Sequence, residues 1–291
     1  MVDLANAHFQ HPARPLEALV SPPISDPRAM AWSGEELLVA DREGQIHLVE
    51  PSFGARRLFQ GAPDPVRLAI SSGLSGARRV AIVDRHGHLR VYAMDGALRW
   101  EGATGVLASV QLAFGAPGVI VVGDTLESRR LLLFSAEGVV VARARVPART
   151  VALPQGEGHP PLARSLADGL RVRPFGAQLG SESATEHHLV VSGSHVLGVA
   201  SGGVTLWRGA QPHAVTVKLY DVVNAALSDD GETMALATRA GSVSVTAARP
   251  GVPRVNPGKV SGHEGPVAGL TFSQKGKWLA SLAERVWVWG Y

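Results

Sequence analysis

The chain contains no cysteine. Disulfides, thiolate metal sites and a cysteine nucleophile are therefore excluded, and the sequence suits a reducing compartment. Lysine is scarce: Lys218, Lys259, Lys275 and Lys277 are the only four, so 24 of the 28 basic residues are arginine. Aromatic residues make up 5% of the chain and do not interleave with the basic ones, which argues against a stacking surface for single-stranded nucleic acid. A net charge of +3 is small for binding a phosphate backbone. No apolar run approaches the roughly 18 residues of a membrane span. The N-terminal stretch MVDLANAHFQHPARP lacks the basic head and apolar region of a secretory signal. The expectation is a cytoplasmic protein that engages neither membrane nor nucleic acid.

Catalytic signatures are absent as well. The sequence has no Gly-x-Ser-x-Gly elbow, no phosphate-cradling loop with Lys-Ser/Thr and no His-Glu-x-x-His pair. His8, His11, His187 and His188 are the histidines that could be imagined on a metal. Adjacent residues of a strand point to opposite faces, so His187 and His188 make poor co-ligands. Asp41, Asp84 and Asp124 each stand near a strand end, where turn chemistry accounts for them. No catalytic residue, metal or cofactor is expected.

What the chain does have is 45% hydrophobic residues, 33 glycines and 19 prolines, the makings of a sizeable core with many tight turns. Apolar residues recur at spacing two, not at three and four, so the fold class is all-β. Internal repetition is visible. Val39-Ala40-Asp41-Arg42-Glu43-Gly44-Gln45-Ile46 lies in register with Ile82-Val83-Asp84-Arg85-His86-Gly87-His88-Leu89, an offset of 43 residues. Ser228-Asp229-Asp230-Gly231-Glu232-Thr233-Met234-Ala235 parallels Ser273-Gln274-Lys275-Gly276-Lys277-Trp278-Leu279-Ala280 at an offset of 45. Thr238-Arg239-Ala240-Gly241 occupies the register of the Asp41–Gly44 turn.

The last stretch, 262–291, holds three apolar runs, Val267–Ser273, Trp278–Leu282 and Arg285–Trp289, parted by turn residues. Gly262-His263, Phe272-Ser273, Leu279-Ala280-Ser281 and Val286-Trp287-Val288-Trp289 occur in the order of one blade of a WD-repeat β-propeller, and this stretch resembles that family. The resemblance is fullest in the last blade, partial in the first, second, fifth and sixth, and slight in the third and fourth. It implies a structural hydrogen-bond network through His263, Ser281 and Trp289, with Glu284 standing where an Asp is usual in a turn that is shorter than the pattern.

The implied architecture is a single closed β-propeller over 24–291 with seven four-stranded blades, or six with 147–186 as an insertion. Residues 147–186 are rich in proline and carry possible strands at Thr150–Leu153, Leu162–Leu166, Leu170–Pro174 and Ala177–Leu179. They read as a degenerate fourth blade, because a structureless loop of that length is uncommon in a compact domain. Residues 1–23 form an arm. The last blade shows only three strands before the chain stops, so the run Leu16–Val20 is the candidate fourth.

In such a propeller the turns between second and third strands share one face. Here they carry Arg42, Arg85, Arg239 and Arg285, with His86 beside Arg85, and the resemblance implies a basic crescent suited to carboxylates. The expected function is a non-catalytic scaffold docking a partner protein, through an acidic or carboxylate-bearing surface or peptide. The alternative is a propeller-fold enzyme, a hydrolase or a quinoprotein-like oxidoreductase. Asp95-Gly96-Ala97-Leu98-Arg99-Trp100 faintly resembles a quinoprotein repeat, in which a Trp docks blade on blade.

Overall fold

The computed structural model describes residues 17–20, 23–50, 54–71, 77–115, 118–124, 129–146, 151–152, 161–166, 169–174, 188–192, 195–200, 203–208, 211–215, 222–248, 258–261 and 263–290. Among the described residues every regular element is a strand, and every pairing is antiparallel. The strands fall into seven sheets. The first runs β2 (Pro27–Ser33), β3 (Glu36–Asp41), β4 (Gln45–Glu50), β5 (Gly54–Gln60). The second is β6 (Pro65–Ile70), β7 (Arg79–Asp84), β8 (His88–Ala93), β9 (Leu98–Ala103). The third is β10 (Ala108–Gly115), β11 (Gly118–Asp124), β12 (Arg129–Ser135), β13 (Val140–Val146).

The fourth sheet has three strands, β14 (Val151–Ala152), β15 (Pro161–Leu166) and β16 (Gly169–Pro174). The stretch 147–186 thus supplies a sheet of its own, and the fourth strand expected at 177–179 lies outside the described residues. The fifth sheet is β17 (His188–Ser192), β18 (His195–Ala200), β19 (Gly203–Arg208), β20 (Gln211–Val215). The sixth is β21 (Val222–Leu227), β22 (Thr233–Thr238), β23 (Ser242–Ala247), β24 (Gly258–Ser261). The seventh takes β25 (Gly269–Phe272), β26 (Trp278–Leu282) and β27 (Val286–Gly290) from the C-terminus and β1 (Glu17–Val20) from the N-terminus. Glu17 lies opposite Gly290 and Val20 opposite Val288, so the N-terminal strand covers what would be an open edge of β27.

The strands β3, β7, β11, β22 and β26 are buried on both faces, and their period of two assigns alternate residues to different neighbours. In β3, Leu38 and Ala40 join Leu68, Val80 and Ile82 of the second sheet. Leu37 and Val39 join Ala280, Leu282 and Val288 of the seventh. The second sheet repeats the arrangement, with Ala81 and Val83 turned toward Val119, Val121 and Phe134 of the third. Fully burying such a side chain contributes about 1.5–3 kcal/mol, which is why these strands read as unbroken apolar runs.

A second device links consecutive sheets. Phe59 on β5 packs on Gly96, in the turn between β8 and β9, and its ring lies 5.5 Å from that of Tyr92. Trp100 on β9 repeats the contact one sheet on, against Gly138 in the turn between β12 and β13. Its ring stacks on Phe134 at 5.5 Å, and its Nε1 donates to the Ala136 carbonyl at 3.0 Å. The stretch around Trp100 is therefore accounted for by sheet-to-sheet packing.

The first strands of six sheets converge. Met30, Leu68, Leu112, Val190, Asn224 and Leu270, from β2, β6, β10, β17, β21 and β25, all line one central cavity of about 220 Å³.

Candidate partner-binding face

The turns between second and third strands are built by one recipe in the first two sheets. Asp41 ends β3, and its carbonyl accepts the Gly44 N–H at 3.0 Å. Its Oδ1 accepts the Gln45 N–H at 2.8 Å, and Oδ2 lies 2.9 Å from Nε2 of the buried His47. Asp84 ends β7 and does the same work. Its carbonyl accepts the Gly87 N–H at 3.0 Å, and Oδ1 accepts the amides of His86 and His88 at 2.9 and 3.0 Å. Oδ2 takes Arg90 at 3.2 Å. Gly44 and Gly87 sit at φ of +84° and +75°. A Cβ there would also run into the carbonyls of Ala62 and Val106, so only glycine fits. In the sixth sheet Thr238 replaces the aspartate, with its carbonyl on Gly241 at 3.1 Å and its Oγ1 on the Ser242 amide at 3.3 Å.

These turns hold the arginines out. Arg42, Arg85, Arg239 and Arg285 are all exposed, as is His86. They occupy the turns before the third strands of the first, second, sixth and seventh sheets, and those sheets pack in sequence six, seven, one, two. The structure therefore brings the four turns into one row.

The row is not bare positive charge. The loops that enter β2 and β6 carry Asp26 and Asp64, each followed by proline and each at positive φ, 45° and 48°. Backbone bonds tie them to the turns: Arg42 N–H to the Asp26 carbonyl at 3.0 Å, Asp64 N–H to the Arg42 carbonyl at 2.8 Å, Arg85 N–H to the Asp64 carbonyl at 3.1 Å. The side chains follow. Asp26 reaches Arg28 at 3.0 Å and Arg42 at 3.6 Å, and Asp64 bridges Arg42 at 3.6 Å and Arg85 at 3.3 Å. Arg85 Nε also donates to Nε2 of His86 at 3.2 Å. Arg285 lies 3.7 Å from Glu284 and 5.9 Å from the Trp287 ring centroid. Arg239 has no ion-pair partner among the described residues. The partly neutralising acids are Asp26, Asp64 and Glu284, while Glu43 contributes no ion pair among the described residues. The repeated Asp-Pro dipeptide, 26–27 and 64–65, was the signal in the sequence that could have found the first two.

The four residues of the expected blade network also meet. Nε2 of His263 lies 2.8 Å from Ser281 Oγ, and Nδ1 lies 3.3 Å from Glu284 Oε1. Trp289 Nε1 donates to the same Ser281 Oγ at 2.9 Å. The longer Glu284 side chain reaches across the shortened turn to His263. These are the atoms of a Ser-His-Glu triad, yet Ser281 is wholly buried and its oxygen is occupied by the indole, so no substrate can approach it. Burial, the main influence, pulls the His263 pKa below its ordinary value; Glu284 opposes the shift without reversing it, and Arg285 adds to it.

No family model and no curated protein matches the sequence. Among solved structures, the chain is similar to that in the crystal structure of Chaetomium thermophilum Raptor, with 17% identity and a TM-score of 0.68 over 94% of the present chain. The match spans only 28% of the Raptor chain. At that identity the likeness concerns the fold alone.

Proposed function

We propose that the chain is a closed, seven-bladed β-propeller of WD-repeat type that serves as a non-catalytic scaffold. It docks a partner protein in the cytoplasm on the face bearing Arg42, Arg85, His86, Arg239 and Arg285. The observation that carries this reading is the row of guanidinium groups at equivalent turns of four consecutively packed sheets, held in place by backbone hydrogen bonds. Rigid turns lower the entropy lost on binding. An exposed arginine fork suits a carboxylate, and an ion pair shared between two arginines, as at Asp64, leaves donor capacity on each. The partner is expected to present an acidic surface or peptide.

The test is affinity capture from the native host with the wild type and with an Arg42→Glu, Arg85→Glu, Arg239→Glu, Arg285→Glu variant. Circular dichroism checks that the variant folds. A stoichiometric partner bound by the wild type, released by salt and lost by the variant is the expected result. A partner that the variant retains at equal yield would remove this face from the reading.

A further inference from the structure

We propose that the central cavity is an anion site in which the Arg67 guanidinium takes a single carboxylate group. Arg67 lies on β6 opposite Val83, two residues in from Pro65, which pairs with Asp84 at the turn. It therefore stands at the end of the cavity nearest the Asp64–Arg42–Arg85 ion pairs. Asn224 holds the matching place on β21, opposite Ala237, and both residues line the cavity. Among the described residues no carboxylate lies within ion-pair distance of Arg67. Its Nη1 donates only to the carbonyl of Val66, its chain neighbour, at 3.1 Å. The side chain keeps access to water, and partial burial against the surrounding strands draws its pKa below its ordinary value. A guanidinium stays charged in a protein. The fold thus presents an accessible guanidinium to the cavity with no ion-pair partner among the described residues, a group able to take an external anion.

The lining selects the ligand. Among the described residues Arg67 is its one cation and Asp229 its one acid, and the remaining polar groups, among them Gln111, Thr271 and Gln274, are neutral. A phosphate dianion would find a single guanidinium and feel the repulsion of Asp229. A carboxylate carries half that charge, so Asp229 repels it less, and it can accept two parallel N–H bonds from the fork. The volume of about 220 Å³ falls below the ~300–1,000 Å³ of drug-sized sites. It suits an acidic side chain or a small organic acid, and excludes a nucleotide.

Thermal unfolding of the full chain tests this with sodium propionate against propionamide, and with a blocked Gly-Gly-Glu-Gly-Gly peptide against its Gln counterpart. The carboxylate of at least one pair should raise the wild-type Tm by about 1–3 °C over its amide, as binding to the native state alone requires. Propionate identifies a free acid as the occupant; the peptide identifies an inserted side chain. Arg67→Gln should abolish the response, because it removes the fork that takes the carboxylate. Arg67→Lys should keep a weakened response. No difference between acid and amide in the wild type overturns the proposal, and so does a folded Arg67→Gln protein that still responds. Neither probe involves the turn arginines, so this result and the fate of the docking face are separable.

Discussion

His263 is the residue whose surroundings dictate a protonation state. The Trp289 indole can only donate, so Ser281 Oγ accepts from it and turns its own proton to His263 Nε2. Nδ1 then carries the ring proton toward Glu284. The ring is neutral in this arrangement, in keeping with a pKa lowered by burial. In the unfolded chain the same ring takes a proton near pH 6.5, before the folded protein does. Its contribution to stability is thus complete above that pH and is lost as pH falls toward the lower folded value. The Tm should decline between about pH 7 and pH 5. A His263→Gln protein should melt lower than the wild type at neutral pH yet show a shallower acid decline. Melting curves at a series of pH values check this, and parallel declines for the two proteins would remove His263 as the cause.

At the level of the element, sheets are joined by aromatic residues on their outer strands. Trp100 on β9 spans the gap to the third sheet through a ring stack and a hydrogen bond. Leu98, on the same strand, is 50% exposed and touches no core cluster. Trp100→Ala should therefore cost about 2–4 kcal/mol, somewhat below the value for a fully buried tryptophan. Leu98→Ala should stay within about 0.5 kcal/mol of the wild type. Urea unfolding separates the two, and equal losses would show that Trp100 has no special part in docking the sheets. The sequence showed the Asp95–Trp100 stretch as an isolated oddity. Its repeat was hidden because the preceding copy uses Phe59, and the ring's receptor is a bare glycine face one sheet later in the chain.

For the molecule as a whole, the pairing of β1 with β27 joins the two ends of the chain. Removing residues 1–22 would expose the backbone edge of β27 together with one face of the Val288–Trp289 pair. An exposed, flat edge invites pairing with another chain. The shortened protein should melt lower than the intact one and self-associate, and a peptide carrying residues 11–23 should restore the monomer. Light scattering and calorimetry read both effects. A truncated protein that melts at the wild-type temperature would show that the joining of the ends contributes nothing to stability.

Much of this architecture is local and can be read from the chain alone. Strands declare themselves by period two, turns by the Asp-x-x-Gly and Thr-x-x-Gly spacing, and the last sheet by His263, Ser281 and Trp289 in order. The four turn arginines were legible because each occupies a definite register of a repeat, and the closing strand, expected at Leu16–Val20 and observed at Glu17–Val20, because the last sheet was one strand short. Even the proline-rich 147–186 showed the three strands that now stand as β14, β15 and β16. Tertiary structure decided whatever depends on residues far apart in sequence. Asp64 holds both Arg42 and Arg85 because two loops meet there, and a one-dimensional pattern carries no information on which charges will come within reach. Arg67 looks like any other strand arginine in the sequence. Only the convergence of the first strands of six sheets places it on a cavity lined mostly by apolar and neutral groups, with no carboxylate within ion-pair distance among the described residues, and surroundings, not residue type, set what a charge will bind.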